Sequence, residues 1–168
     1  IGPGDEVIVP GFGFLCVANI ALHVGAKPIF ADVDKKSWCV TAEKIKPLIT
    51  KKTKAIAVIH TYGNVCDMDS ILALAKNNNL MVIEDAAESI GSKYKGKYSG
   101  TMGEVGIYSF QATKTITTGE GGAVVTNSSS LRDQMKLFRS HGMGEKKYWH
   151  KVAGHNFRIT NMQAAIGC

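Results

Sequence analysis

Lys114 lies in "SFQATKTITTGEGG" (109–122), a stretch of small and hydroxylated residues that comes after an apolar run and ends in a glycine cluster. A second apolar run, in "LMVIEDAAESIGS" (80–92), ends in two carboxylates, Glu84 and Asp85, with Glu88 three residues beyond Asp85. Taken alone, a loop lysine is usually a solvated charge, and a carboxylate pair after a strand can simply cap the next turn. Placed at one sheet edge, the same residues can do chemistry. A lysine amine, a carboxylate and a set of hydroxyls are the parts of a pyridoxal phosphate site. The amine forms a Schiff base, the carboxylate keeps the pyridine nitrogen protonated, and the hydroxyls receive the phosphate. A protonated ring acts as an electron sink, and a released lysine amine can carry protons. Arginine, always charged, could do neither job of the lysine.

That chemistry requires strands that deliver Asp85 and Lys114 to a common edge, and the pattern provides them. Short, near-continuous apolar runs alternate with helical patterns, which predicts an α/β fold. The expected architecture is a three-layer α/β/α sandwich around a mainly parallel sheet, with helices over both faces. Strands are expected at Glu6 to Val9, Pro28 to Asp32, Ala55 to His60, Leu80 to Asp85, Val105 to Phe110 and Gly122 to Thr126. Met68, Ile71, Leu72 and Ala75 share one helical face, with Asp67 placed to cap its start. Leu131, Met135 and Phe138 form a second stripe, with Ser130 and Asp133 at capping spacing and Gly142 past its end. Helices are also expected over Phe14 to His23 and Ala42 to Ile49. In open parallel sheets the carboxyl ends of the strands border the ligand crevice, which is where Asp85 and Lys114 would meet.

Composition narrows the alternatives. The chain has 168 residues, 45% hydrophobic and 20% charged, the profile of one globular domain. No apolar stretch approaches the roughly 18 residues of a membrane helix, and no secretory leader pattern opens the chain; a cytoplasmic, non-membrane protein is expected. A net charge of +6 raises the question of nucleic acid, most of all at "GEKKYWHK" (144–151), but the lysines elsewhere are scattered and no nucleic-acid partner is expected. The four cysteines lack CxxC spacing and nearby histidine ligands, so no metal site is expected. The "GEGG" glycines do not form a dinucleotide fingerprint, since no GxGxxG comes after a first strand.

The segments "GPGDEVIVP", "GAKPIFADVD", "IEDAAESIGSKYKGK", "GIYSFQATKTITTGEGGAVVT", "RSHGM" and "HNFRITNMQAAIG" succeed one another in this order. Together they resemble the DegT/DnrJ/EryC1/StrS family of pyridoxal-phosphate sugar aminotransferases, over essentially the whole chain. The resemblance implies the large domain of a fold type I aminotransferase and transfer of an amino group, with glutamate as donor. The acceptor it implies is the keto group of a nucleotide-linked deoxysugar, with the branch acting on GDP-4-keto-6-deoxymannose the nearest, for surface polysaccharide biosynthesis. By position it makes Lys114 the Schiff-base lysine, Asp85 the partner of the pyridinium nitrogen, and Glu88 the residue facing the cofactor hydroxyl. Ser109 becomes a phosphate ligand and Phe14 the ring that stacks on the cofactor, with Phe12 as a rival for that place. Asn156 becomes a ligand to the cofactor phosphate of an adjacent subunit, hence a homodimer with shared sites.

His60 and Tyr62, in "VIHTYG", are expected in structural or substrate-lining roles, and His141 and His150 near the substrate are assigned none. The family's phosphate-cradling Gly-Thr segment and its small C-terminal domain lie outside these residues, so the 168-residue stretch alone is expected to bind cofactor weakly or not at all. Two alternatives stand beside this reading. A sugar dehydratase on the same scaffold carries histidine at the lysine position, against which Lys114 argues. A non-catalytic binding relative is opposed by Lys114, Asp85, Ser109 and Asn156 occurring together.

Overall fold

The computed structural model describes residues 1–168. In chain order the elements are β1 (Glu6–Pro10), α1 (Cys16–His23), β2 (Lys27–Ala31), α2 (Ala42–Ile45), β3 (Thr53–Ile59), α3 (Met68–Asn77) and β4 (Met81–Asp85). Then come β5 (Lys93–Tyr94), β6 (Lys97–Tyr98), β7 (Val105–Ser109), β8 (Gly122–Val125), α4 (Ser129–Arg139) and α5 (Asn161–Ile166). Six strands build one sheet in the order β2-β1-β3-β4-β7-β8, parallel throughout except where β8 runs against β7. β5 and β6 form a separate antiparallel hairpin.

The pleat sorts the strand residues into two layers. Ile8, Ile56, Val58 and Val82 face Ile45 of α2 and Met68 and Ile71 of α3, and all are essentially inaccessible to water. Val7, Val9, Ala55 and Ala57 face the other way, under Ala18 and Ala21 of α1. Each buried Ile or Val contributes about 2 kcal/mol, so the larger layer under α2 and α3 anchors the domain. The small alanines opposite let α1 lie close to the sheet.

Beyond α1 that second face is bare. Ile83, Val105, Ile107 and Val124 line an open cleft there; the expected helices lie on both faces, α2 and α3 on one and α1 on the other. α4 does not fill the gap. Its stripe residues Leu131 and Met135 are half-buried and Phe138 is 48% exposed.

Several element ends also differ from the sequence reading. α1 starts at Cys16, not Phe14, and no side chain caps it. α2 stops at Ile45 and continues as a 3-10 turn (Lys46–Leu48), because Pro47 has no N–H to extend an α-helix. The carboxylate of Asp67 accepts from Ser70 Oγ at 2.6 Å and Tyr94 Oη at 2.5 Å, and so makes no cap bond to α3. Ser128, not Ser130, caps α4, its hydroxyl accepting from Leu131 N at 3.3 Å.

Candidate active site

The cleft on this face measures about 1020 Å³. It reaches the carboxyl edge of the sheet, where Phe14, Asp85, Glu88, Ser109 and Lys114 all line it. The last strands deliver three of these separately. Asp85 closes β4, Ser109 closes β7, and Lys114 sits in the loop between β7 and β8.

That loop is held by its own hydrogen bonds. Phe110 N donates to Gly121 O at 2.9 Å, Thr118 N to Phe110 O at 2.9 Å, and Lys114 N to Gln111 O at 2.9 Å. The hydroxyl of Thr117 adds a bond to Phe110 O at 3.0 Å. The threonines that surround the lysine in sequence thus fold the loop back on the strand end, and only 22% of the Lys114 side chain is exposed.

Asp85 is 7% exposed, and its Oδ1 accepts the Ala87 N–H at 3.0 Å. Burial pushes its carboxyl above the ordinary value of 3.8; the Ala87 hydrogen bond and the Lys114 charge pull it down, and Glu88 adds to the rise. A buried acid in that condition gains from a cation placed beside it. Lys114 Nζ stands 3.8 Å from Glu88 Oε1, while Glu88 Oε2 accepts the Tyr62 N–H at 2.9 Å. Ser109 Oγ accepts from Gln111 N at 3.3 Å.

Phe14 is 78% exposed on the cleft wall. The turn that presents it needs Gly13, which sits at φ 139, where a Cβ would come within 2.5 Å of Ile59 Cδ1. Phe12 packs on Trp38 with ring centroids 4.9 Å apart and does not line the cleft, so of the two rivals only Phe14 meets it. The set therefore suits a ring-shaped, cationic ligand with an aldehyde: a buried carboxylate, an amine, an exposed aromatic face and a hydroxyl converge on one volume.

Other residues named from the sequence lie elsewhere. His60 is wholly buried, its Nε2 2.9 Å from Glu84 Oε2, while Nδ1 accepts the Cys66 N–H at 3.3 Å. Its proton therefore sits on Nε2 and points to Glu84; His60 pins the structure and touches no cleft. His141, at φ 60, accepts through its carbonyl from His150 Nδ1 at 2.8 Å, and both are exposed. Asn156 is exposed, bridged to Ser140, and its Oδ1 accepts from Arg158 Nε at 3.1 Å; it does not line the cleft of its own chain.

Cys16, Gln111 and Thr113 do line it, and the sequence reading passed over all three. Gln111 and Thr113 had a usable signal, their place between Ser109 and Lys114. Cys16 had none, since its approach depends on where α1 begins; burial, and then the Asp85 charge, raises its thiol.

A mainly parallel sheet whose carboxyl edge presents a lysine and a buried aspartate to one cleft is built as a small-molecule or cofactor site. The model of the DegT/DnrJ/EryC1/StrS aminotransferase family matches residues 1–168, and the chain belongs to that family. It is 51% identical over 168 residues to GDP-perosamine synthase of Escherichia coli O157:H7, covering 99% of this chain and 46% of that protein. It is 49% identical to GDP-perosamine synthase of Caulobacter vibrioides, with 99% and 45% covered. The crystal structure of an aminotransferase from Psychrobacter cryohalolentis superposes with a TM-score of 0.95 at 41% identity, covering 99% of this chain and 45% of that one. The chain thus spans slightly under half the length of the relatives it matches.

Proposed function

We propose that these residues form part of the large domain of a pyridoxal-phosphate-dependent nucleotide-sugar aminotransferase. It moves an amino group from glutamate to the 4-keto group of GDP-4-keto-6-deoxymannose, yielding GDP-perosamine for surface polysaccharide. The observation that carries the reading is the joint presence of Lys114 and the burial-raised Asp85 on one cleft edge. Identity to two GDP-perosamine synthases supports the sugar.

Bound there, pyridoxal phosphate supplies an aldehyde for amino exchange and a ring that draws electrons from the substrate carbon. Asp85 would hold the proton on the ring nitrogen, and the cation it keeps would offset the cost of its burial. Phe14, Glu88 and Ser109 would hold the cofactor, Phe14 through its exposed ring face, Glu88 at its hydroxyl and Ser109 at its phosphate. Lys114 would tether the cofactor and, once free, its amine would take the proton from the donor carbon in one half reaction and deliver one to the sugar carbon in the other. Glu88, 3.8 Å from that amine, keeps it oriented between the two tasks.

Asn156, outside its own cleft, fits a ligand to the cofactor phosphate of a second copy, which makes the enzyme a homodimer with shared sites. A cytoplasmic location suits the nucleotide-sugar substrate; no helix is long and apolar enough to cross a membrane. The test is to incubate the full-length enzyme with pyridoxal phosphate, glutamate and a panel of nucleotide keto sugars, and to identify products by mass. Amine incorporated into GDP-4-keto-6-deoxymannose is the expected result. Deoxygenated sugar without nitrogen would make the protein a dehydratase instead.

A further inference from the structure

Two large residues in neighbouring loops hold left-handed backbone, Trp38 at φ 60 and Tyr62 at φ 52; neither is among the residues that line the cleft. Such backbone costs about 1–2 kcal/mol per residue and persists only where the surroundings impose it. Here two loops are clasped together. Thr61 Oγ1 donates to Trp38 O at 3.2 Å, Asn64 Nδ2 to Ser37 O at 2.8 Å, and Cys39 Sγ to Asn64 O at 3.2 Å. The result is an aromatic cluster turned outward. Phe12 packs on Trp38 at 4.9 Å and meets Tyr62 edge-on at 6.5 Å, yet Trp38 stays 51% and Tyr62 78% exposed. A ring held outward by a strained backbone buries little, so packing within these residues does not account for it.

Its position points to what does. The Tyr62 N–H donates to Glu88, and the same carboxylate faces the Lys114 amine; one side chain links the Tyr62 backbone to the reacting nitrogen. We propose that Phe12, Trp38 and Tyr62 form a shelf that receives the apolar face of the substrate's deoxysugar ring, with Tyr62 the contacting residue. This rests on the aminotransferase reading of the site. The keto carbon must come to Lys114, so the group one residue away is the sugar itself; the nucleobase lies a diphosphate farther off. A 6-deoxy sugar presents a methyl group and ring C–H bonds, the surface that aromatic faces cover best.

The test uses the full-length enzyme and three variants, with steady-state kinetics for the keto sugar and for glutamate, and with thermal melts. Tyr62→Ala and Tyr62→Gly are expected to raise KM for the keto sugar ~10-fold or more, with a much smaller change in KM for glutamate. Tyr62→Phe, which keeps the ring, should retain the sugar KM. Tyr62→Gly also relieves the backbone, so its Tm should be equal to or above that of the parent, separating the ring's role from a structural one. An unchanged sugar KM in Tyr62→Ala and Tyr62→Gly, while the parent enzyme turns over, overturns the shelf alone. Failure of the parent enzyme to aminate any nucleotide keto sugar overturns the reading of the site, and the shelf with it.

Discussion

On β4 the pleat turns Glu84 inward and Asp85 toward the cleft. Glu84 meets His60 Nε2 at 2.9 Å and the N–H groups of Gly100, Met102 and Gly103 at 2.8, 2.6 and 2.5 Å. Burial pushes its carboxyl up, but these donors outweigh it and hold Glu84 below the ordinary carboxylate value. Asp85 has the Ala87 N–H as its hydrogen bond, and burial leaves it raised. The signs for stability are opposite. Glu84 stabilises the fold above the unfolded carboxylate pKa and loses that contribution as pH falls. Asp85 contributes fully below its unfolded pKa and loses the contribution as pH rises through its raised value. Asp85→Asn should therefore raise the Tm of the cofactor-free enzyme at neutral pH, with the gain vanishing toward about pH 3; an equal Tm difference at both pH values would contradict the account. From the sequence the pair was legible as a strand end with two carboxylates, but not which was structural. That depends on the parity of the pleat and on His60, whose partner lies 24 residues away in the chain.

The elements were legible where apolar runs were long enough to show a period, as in β3, with its near-continuous "TKAIAVI", or α3. The β5–β6 hairpin was not, because strands of two residues carry no periodicity. Its turn signal, Lys95 and Gly96, both at positive φ, was the available cue. Also invisible was the close approach of the loop around Gly100 to β7, which brings the Glu84 donors into place. A Cβ on Gly106 would lie 1.8 Å from Gly100 O and 2.7 Å from Gly100 Cα, with backbone on both sides of the conflict. Gly106→Ala should destabilise the enzyme by about 3 kcal/mol or more, read from urea denaturation. A change within about 0.5 kcal/mol would mean the loop yields easily and is not what holds Glu84.

The relatives are longer than these residues, which cover 46% and 45% of the two GDP-perosamine synthases. The order of motifs along the chain made the family legible; how far α1 reaches across its face of the sheet was not, since apolar strands read alike whether or not a helix covers them. The assignment of Asn156 to a neighbouring subunit belongs at this scale. A Lys114→Ala homodimer should be inactive and an Asn156→Ala homodimer impaired. In a mixed dimer both lesions fall in one site and the other is intact, so activity should return to about half that of the parent. No recovery on mixing would place Asn156 outside the partner's site.

In the proposed reaction Lys114 carries the cofactor. Full-length enzyme loaded with pyridoxal phosphate, reduced with borohydride and digested, should yield a single pyridoxyl-modified peptide, and fragmentation should place the added mass on Lys114. The label on a different lysine, or its persistence in a Lys114→Ala variant, would contradict the account.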